Sequence, residues 1–276
     1  KEQVQVNLSA DQNNRAKSMI IDLGIPEDKP FVCIYVRDDG FESMRSMSGS
    51  NFANSDINNF RDVILKIIEK NYHVIRVGDP LMKPINIHNS FIDYAHSAQR
   101  NRSLDLYLYR HCCFWIGTMG GGRFPPILYN RPSIVVNAVS PLFSGFCVNK
   151  SSVIIFKHVY SLSKARFLCL REQLERTHAE NAINGNSPDY LYIENSPEEI
   201  SQAFLEWHKD RATQSFDWNS SLQEQYHNLK QKCTREAFFN ADKNEWINST
   251  IENYQHIRPR IGKQFLENCF EYGEYL

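Results

Sequence analysis

Short apolar runs that alternate with longer amphipathic segments are the feature that most constrains the fold. The runs comprise residues 31–36, 72–77, 113–117, 133–138 and 152–156. They lack polar alternation, which is typical of parallel strands buried on both faces. Residues 55–70 and 103–111 lie between runs and have apolar side chains at helical spacing. Strands that alternate with helices form βαβ units, so the pattern predicts an α/β fold with a doubly wound parallel sheet.

Helix and strand signals on either side of this region predict its limits. A first helix is expected from Ser9, its N-cap, to Leu23, with Gly24 ending it. Near the other end, "YLYIEN" predicts a strand, and Ser196-Pro-Glu-Glu opens a helix that runs to about Arg211. We therefore expect a linker helix at 1–29, a doubly wound domain at 30–211, and a helical tail at 212–276 that packs on it.

Composition excludes several classes of protein. The net charge is −1 and there is no basic run, so nucleic acid is not expected as a partner. The seven cysteines are an odd number without a C-x-x-C pair, which favours a reducing compartment, the cytoplasm. No apolar run reaches the roughly 18 residues of a membrane span. The polar start lacks Met, as expected of a portion of a longer protein.

Polar residues and glycines cluster where three of the predicted strands end. The clusters are Arg37, Asp38 and Asp39 after the first strand, Arg76 and Asp79 at the second, and Thr118, Gly120, Gly121, Gly122 and Arg123 after the third. Ligands of open α/β sheets bind beyond the carboxyl ends of the strands. Arginine donates paired hydrogen bonds to phosphate, and glycines let backbone N–H groups approach an anion. Together the clusters predict a site for a diphosphate-bearing ligand.

Each cluster taken alone also has a structural interpretation. Arg37 can pair with the acids that follow it, and Arg76 can pair with Asp79. Gly-Asp-Pro at 78–80 is common turn chemistry, and a glycine triplet is more often a loop than a phosphate site. The functional interpretation therefore depends on all three clusters occurring at successive strand ends.

Established motifs for other chemistries do not occur. "GTMGGGRF" lacks the Lys-Ser/Thr of a P-loop and does not match G-x-G-x-x-G, and there is neither H-E-x-x-H nor G-x-S-x-G. No D-x-D sequence follows a strand; "RDD" at 37–39 is the nearest, with different spacing. We therefore predict no metal site and no cofactor.

Four stretches of the chain carry a resemblance to a known family. They are "VCIYVRDDGF", "SDINNFRDVILKIIEKNYHVIRVGDPLM", "IDYAHSAQRNRSLDLYLYRHCCFWIGTMGG" and "YIENSPEEI". Across residues 9–211 the chain resembles bacterial glycosyltransferases of surface-polysaccharide gene clusters. More distantly it is similar to the donor-binding, Rossmann-like C-terminal half of GT-B enzymes such as fucosyltransferases and heptosyltransferases.

That resemblance implies roles for particular residues. Arg37 and the loop at 118–122 would bind the donor diphosphate, and Asp79 would lie near the nucleoside. Two features depart from the family pattern: Gly-Gly replaces serines common in the loop, and Tyr35 stands where many fucosyltransferases carry His. The implied setting is the bacterial cytoplasm, with possible peripheral association at the inner membrane.

The functional hypothesis is metal-independent transfer of a sugar from a nucleotide sugar to a glycan or lipid-linked glycan acceptor. Arg37, Arg76 and the glycine loop would neutralise the leaving diphosphate. Asp38 or Asp39 would act as general base or would orient Arg37; orientation is favoured because a carboxylate beside a guanidinium is a weaker base. Arg100 and Asp105 are candidates of second rank.

Two other functions fit the same residues. One is a non-catalytic module that binds a nucleotide or a glycan, or a regulatory half-domain. The other is an enzyme of the heptosyltransferase or epimerase sort, with a similar donor pocket and a different product. An acceptor domain elsewhere in the protein would favour the enzyme.

Overall fold

A six-stranded parallel sheet forms the centre of the protein. The computed structural model describes residues 7–38, 40, 51–142, 149–175, 177–178, 188–216, 220–246 and 257–271. The strands are β1 Phe31–Tyr35, β2 His73–Arg76, β3 Phe91–Ile92, β4 Trp115–Gly117, β5 Ser133–Ala138 and β6 Val153–Phe156. Their order is β3-β2-β1-β4-β5-β6, and all five neighbouring pairs are parallel. This is the strand order of a doubly wound, Rossmann-like sheet.

Helices cover the sheet in two groups. They are α1 Ala10–Asp22, α2 Arg61–Glu69, α3 Arg102–His111, α4 Phe124–Leu128, α5 Leu170–Leu174, α6 Pro197–Thr213, α7 Ser221–Phe238 and α8 Lys263–Glu271. Helix α2 packs against α6, whereas α3 packs against α1 and α4. The connection from β1 through α2 to β2 runs toward one edge of the sheet, and the connection from β3 through α3 to β4 runs toward the other. Because such crossovers are right-handed, α2 and α3 lie on opposite faces of the sheet. The predicted doubly wound α/β fold is confirmed.

Burial of the sheet on both faces explains the unbroken apolar runs. All six residues of β5 and all four of β6 are buried. Beside the sheet, Phe114 packs on Trp207 of α6 with ring centroids 4.4 Å apart. A strand with a helix layer on each face has no side that needs polar residues.

The segment after β1 differs in detail from the single helix that the sequence predicts. A 3-10 turn, Ile57–Phe60, comes first, and the Asp56 carboxylate caps it by accepting from the Asn58 N–H at 2.9 Å. Helix α2 follows directly. Strand β3, only two residues long, was not predicted, because two apolar residues give no periodic signal.

The strand predicted at "YLYIEN" exists as β9, Tyr190–Ile193, but it does not extend the parallel sheet. It pairs antiparallel with β7, His158–Ser161, which also pairs antiparallel with β8, Arg166–Phe167. Its residues alternate between half-buried and exposed, as expected for a sheet covered on one face. The predicted strand is thus present, in a separate three-stranded antiparallel sheet.

The C-terminal segment packs against the sheet. Tyr226 of α7 is fully buried and donates from its hydroxyl to the Pro141 carbonyl at 3.0 Å. Ile261 forms a parallel bridge with Ile154 of β6. The segment is not wholly helical, since β10, Phe239–Asn240, and β11, Glu245–Trp246, form a hairpin. The division into separate domains stays a prediction.

No helix within the described ranges is both long and apolar enough to cross a bilayer.

Candidate functional site

The strand order places a crevice between the carboxyl ends of β1 and β4. These two strands are neighbours, and the chain continues from them toward opposite edges of the sheet. Tyr35, the last residue of β1, pairs with Gly117, the last residue of β4, so the two strands end level with each other. A crevice at such a switch point is where ligands bind in this class of fold.

A cavity of about 470 Å³ occupies this crevice and is called here the first cavity. Seven residues singled out in the sequence line it: Arg37, Asp38, Asp79, Arg100, Asp105, Gly121 and Gly122. The structure thus brings together residues that span 86 positions of the chain, from 37 to 122. Thr118, Gly120, Arg76 and Arg123 are not among its lining residues.

Arg37 connects the ends of the two strands. Its backbone N–H donates to the Thr118 hydroxyl oxygen at 2.9 Å. Its side-chain Cδ lies 3.6 Å from the position that a Cβ on Gly120 would take. Thr118 is fully buried, so this hydroxyl fixes the backbone of Arg37 and does not reach the cavity.

The three glycines of the loop after β4 serve different purposes. Gly120 has a φ of 145°, a conformation that favours glycine. A Cβ on Gly122 would lie 2.6 Å from Cδ2 of Tyr35, so this glycine makes room for the Tyr35 ring. Gly121 has no atom within 4 Å of such a Cβ and faces open space.

The helix after this loop is too short to form an anion site at its N-terminus. Gly121–Arg123 is a 3-10 turn, and α4 that follows has five residues. The N–H groups of Gly121 and Gly122 start this turn and have no acceptor within it. An anion here would therefore bind Arg37 and these N–H groups, with little contribution from a helix dipole.

Tyr35 and Tyr109 form an aromatic part of the cavity wall that the sequence analysis did not assign to the site. Burial raises the pKa of Tyr35, and the neighbouring Arg37 acts in the opposite direction. Burial also raises the pKa of Tyr109 well above its usual value. Both phenols therefore stay protonated at neutral pH. Tyr35 had a signal in the sequence, since it directly precedes the Val-Arg-Asp-Asp segment.

Asp38 is held by the backbone of two loops. Its Oδ1 accepts from the Gly40 N–H at 3.0 Å, and its Oδ2 accepts from the Lys83 N–H at 3.0 Å. The Arg76 guanidinium lies 3.8 Å from Oδ2. These contacts make Asp38 a residue that orders the edge of the cavity. Asp39 lies outside the described residues.

Arg76 is the main difference from the predicted site. Its side chain is fully buried beneath the loop after β2, where Nη1 donates to the Lys83 carbonyl at 2.5 Å and lies 3.3 Å from Asp93 Oδ2. The same Asp93 oxygen accepts from the Ile85 N–H at 3.0 Å and lies 3.0 Å from His96 Nδ1. Arg76 therefore supports the loop from below and does not face the ligand.

Arg123 also points away from the cavity. It is 2 % exposed, with Nη1 at 2.7 Å from the Met119 sulfur and its guanidinium 5.8 Å from the Phe124 ring centre. The 3-10 turn rotates this side chain into the protein while Gly121 and Gly122 face the cavity. Its prediction as a donor-binding residue does not agree with this placement.

Three further predicted residues line the opposite wall of the first cavity. Asp79 closes the turn after β2 by accepting from the Leu81 N–H at 2.9 Å. Asp105, in the first turn of α3, accepts from the Tyr94 hydroxyl at 2.8 Å. Arg100 is exposed at the mouth. This wall thus presents two carboxylates and one guanidinium.

Comparisons with known proteins gave matches only among solved structures. A scan against models of protein families and a search of curated proteins found no match. One matched structure is a glycosyl transferase family 9 protein from Veillonella parvula DSM 2008, with 9% identity over 55% of this chain and 42% of that chain, and a TM-score of 0.41. Another is E. coli ADP-heptose LPS heptosyltransferase II, with 10% identity over 75% of this chain and 54% of that chain, and a TM-score of 0.44.

Both matched proteins are glycosyltransferases by description, the class that the sequence motifs resemble. The chain spans about half the length of these solved proteins. With TM-scores below 0.5, the assignment of the fold rests on the strand order described above, not on these matches.

Proposed function

We propose that the first cavity binds the diphosphate of a nucleotide sugar and that the protein is a glycosyltransferase of the GT-B type. The observation that carries the proposal is the position of Arg37 and Gly121 on the two sides of the switch point, both lining one cavity of about 470 Å³. A guanidinium and backbone N–H groups on facing walls are the donors that a diphosphate requires.

The walls of the cavity suggest an orientation for the donor. The diphosphate would lie between Arg37 and the glycine loop. The nucleoside would extend toward Asp79 and Arg100 beyond β2 and β3, since Asp79 offers a carboxylate to ribose hydroxyls as acidic residues do after the second strand of such sheets. The sugar would then lie on the other side of the diphosphate.

The chemistry that we propose needs no metal ion. Arg37 and the loop N–H groups stabilise the negative charge that develops on the leaving diphosphate. Asp38 positions the loops at the sugar end, because both of its oxygens already accept backbone N–H groups. The proposed acceptor is a glycan or a lipid-linked glycan. The proposed setting is the synthesis of surface polysaccharide in the cytoplasm of a bacterium.

A non-catalytic module that binds a nucleotide is the second candidate. The observation that favours it is that both oxygens of Asp38, the carboxylate beside Arg37, already accept backbone N–H groups. Both candidates require the same nucleotide site. Turnover of a nucleotide sugar by the full-length protein separates them.

Nucleotide binding tests the site directly. We expect one or more of UDP, GDP, ADP and CDP to raise the melting temperature of the wild type at millimolar concentration. Arg37→Ala should abolish that rise, because it removes the guanidinium that lines the cavity. Arg61→Ala, an exposed arginine on α2, is the matched control and should respond as the wild type does. If no nucleotide stabilises the wild type, the proposed site is wrong.

A further inference from the structure

A second cavity adjoins the first, and the proposed function assigns no ligand to it. Its volume is about 370 Å³, and Asp38 lines both cavities. Met82 lines the first and the adjacent Lys83 lines the second. The two cavities therefore meet where the Lys83 N–H donates to the Asp38 carboxylate.

The strand order says which part of a nucleotide sugar would reach this second cavity. Lys157, one of its lining residues, directly follows β6 at one edge of the sheet. Asp79 follows β2, on the other side of β1. A ligand with its nucleoside near Asp79 and its diphosphate at Arg37 extends across the switch point toward β5 and β6. The group attached to the distal phosphate then enters the second cavity.

Lys157 is a buried cation in this cavity. Its side chain is 2 % exposed, and its Nζ donates to the Asn54 carbonyl at 2.6 Å. Burial lowers the pKa of Lys157 to about 8, and the charge of Glu194 acts in the opposite direction. Within the described part of the chain Lys157 forms no ion pair, so two of its three N–H donors remain for a ligand.

The acidic residues of the cavity are already used by the protein. Glu194 accepts from the Asp56 N–H with both oxygens, at 3.1 Å each, and from the Asn59 amide at 3.1 Å. The Asp56 carboxylate caps the following 3-10 turn. These acids therefore hold the walls together.

Tyr192 also lines this cavity. The Tyr192 hydroxyl is buried and has no hydrogen-bond partner among the described residues. Burial raises the pKa of Tyr192 to about 12, so the hydroxyl keeps its proton at neutral pH. A buried donor without a partner is costly unless a ligand supplies an acceptor.

We propose that the second cavity holds the sugar that is transferred and that this sugar carries a carboxylate, which the Lys157 ammonium and the Tyr192 hydroxyl bind. The inference rests on the proposed function, because the nucleotide site fixes where the sugar lies. A carboxylate supplies an anion in direct contact with Lys157 and an acceptor for Tyr192. The charge of Glu194 acts on Lys157 without forming an ion pair, so a neutral sugar would leave the ammonium without a carboxylate in contact.

Matched pairs of nucleotide sugars test this inference. Binding of UDP-glucose is compared with UDP-glucuronic acid, and GDP-mannose with GDP-mannuronic acid, by calorimetry at pH 7. We expect the wild type to bind the acidic member of the pair with the preferred base about tenfold more tightly, since one charge-assisted hydrogen bond distinguishes the two ligands. Lys157→Met should remove the preference and leave the affinity for the free nucleoside diphosphate unchanged. Lys209→Met, an exposed lysine on α6, is the control.

The pH dependence gives an independent readout. The preference for the acidic sugar should persist below about pH 8 and decline above it as Lys157 loses its proton, with no such decline in Lys157→Met. The comparison with this variant is needed because other ionisable groups also face the cavity, namely Asp38, Asp56, Lys83, Tyr192 and Glu194.

The outcomes separate the two proposals. If the free nucleoside diphosphate binds but acidic and neutral sugars bind alike, the carboxylate site is wrong and the nucleotide site stands. A preference that survives in Lys157→Met also overturns the inference. If no nucleoside diphosphate binds, both proposals fail.

Discussion

Polar side chains at the carboxyl ends of the buried strands face either the first cavity or the protein interior. Arg37 lies at the wall of the first cavity, whereas Arg76 is fully enclosed under a loop. The glycines show the same contrast, since Gly122 packs on Tyr35 while Gly121 faces open space. Residue type therefore indicates the chemistry available at the sheet edge, and the local backbone decides which side chains present it.

The two neighbouring glycines make a matched test at this scale. Gly122→Ala should lower the free energy of unfolding by about 1–3 kcal/mol, because its Cβ would press on the Tyr35 ring at 2.6 Å. Gly121→Ala should change it by less than about 1 kcal/mol, since nothing lies within 4 Å. Urea unfolding at neutral pH measures both. Equal losses in the two variants would contradict the packing role of Gly122.

At the scale of elements, the loop after β2 owes its position to a buried charge network. Arg76 and Asp93 bind it from below, through the Lys83 carbonyl and the Ile85 N–H, and His96 Nε2 lies 2.7 Å from the Met82 carbonyl. This loop borders both cavities. The network thus shapes the site without contacting a ligand in it.

Removing one partner of this network should lower the stability of the protein more than removing both partners does. Arg76→Met is expected to lower the free energy of unfolding by about 3 kcal/mol, because it leaves the Asp93 carboxylate without its cation. Adding Asp93→Asn to Arg76→Met should recover part of the lost stability. Chemical denaturation of the two variants is the measurement. Should Arg76→Met unfold like the wild type, yet fail to bind nucleotide, Arg76 would be a ligand residue after all.

At the scale of the whole molecule, the core is continuous from α1 to the C-terminal segment. One cluster of buried apolar residues includes Ala16, the strands of the sheet, Tyr226 and Leu266. The C-terminal segment also brings buried polar groups, among them His227 of α7, which is 7 % exposed. Burial, with Arg258 and Lys230 nearby, lowers the pKa of His227 to about 4.

This histidine makes the stability of the protein sensitive to acid. An unfolded chain takes up a proton on His227 near its usual pKa of 6.5, and the folded chain does so only near 4. Stability is therefore lost as the pH falls from 6.5 to 4, by about 2–3 kcal/mol from this residue. Urea unfolding between pH 7 and 4.5 should show a smaller loss in His227→Gln. His88→Gln, at an exposed histidine, should keep the wild-type slope, and the same slope in both variants would refute the assignment.

The sequence by itself determined five of the six strands of the parallel sheet and the edge of that sheet at which chemistry can occur. Periodicity is local, so the apolar runs and the Ser9 and Ser196 caps were sufficient to place strands and helices within a few residues. Polar residues directly after buried strands must lie at the carboxyl edge, which is why Arg37, Asp79 and Gly121 meet in one cavity.

Tertiary structure alone decided which polar side chains face that cavity. Arg76 points inward because Asp93, 17 residues later, lies within contact of its guanidinium. Strand β9 lies outside the parallel sheet because it pairs antiparallel with β7. Lys157 follows a buried strand just as Arg37 does, yet only packing of the 54–57 segment and β9 around it creates the second cavity. Such contacts join residues far apart in the chain, and no local pattern encodes them.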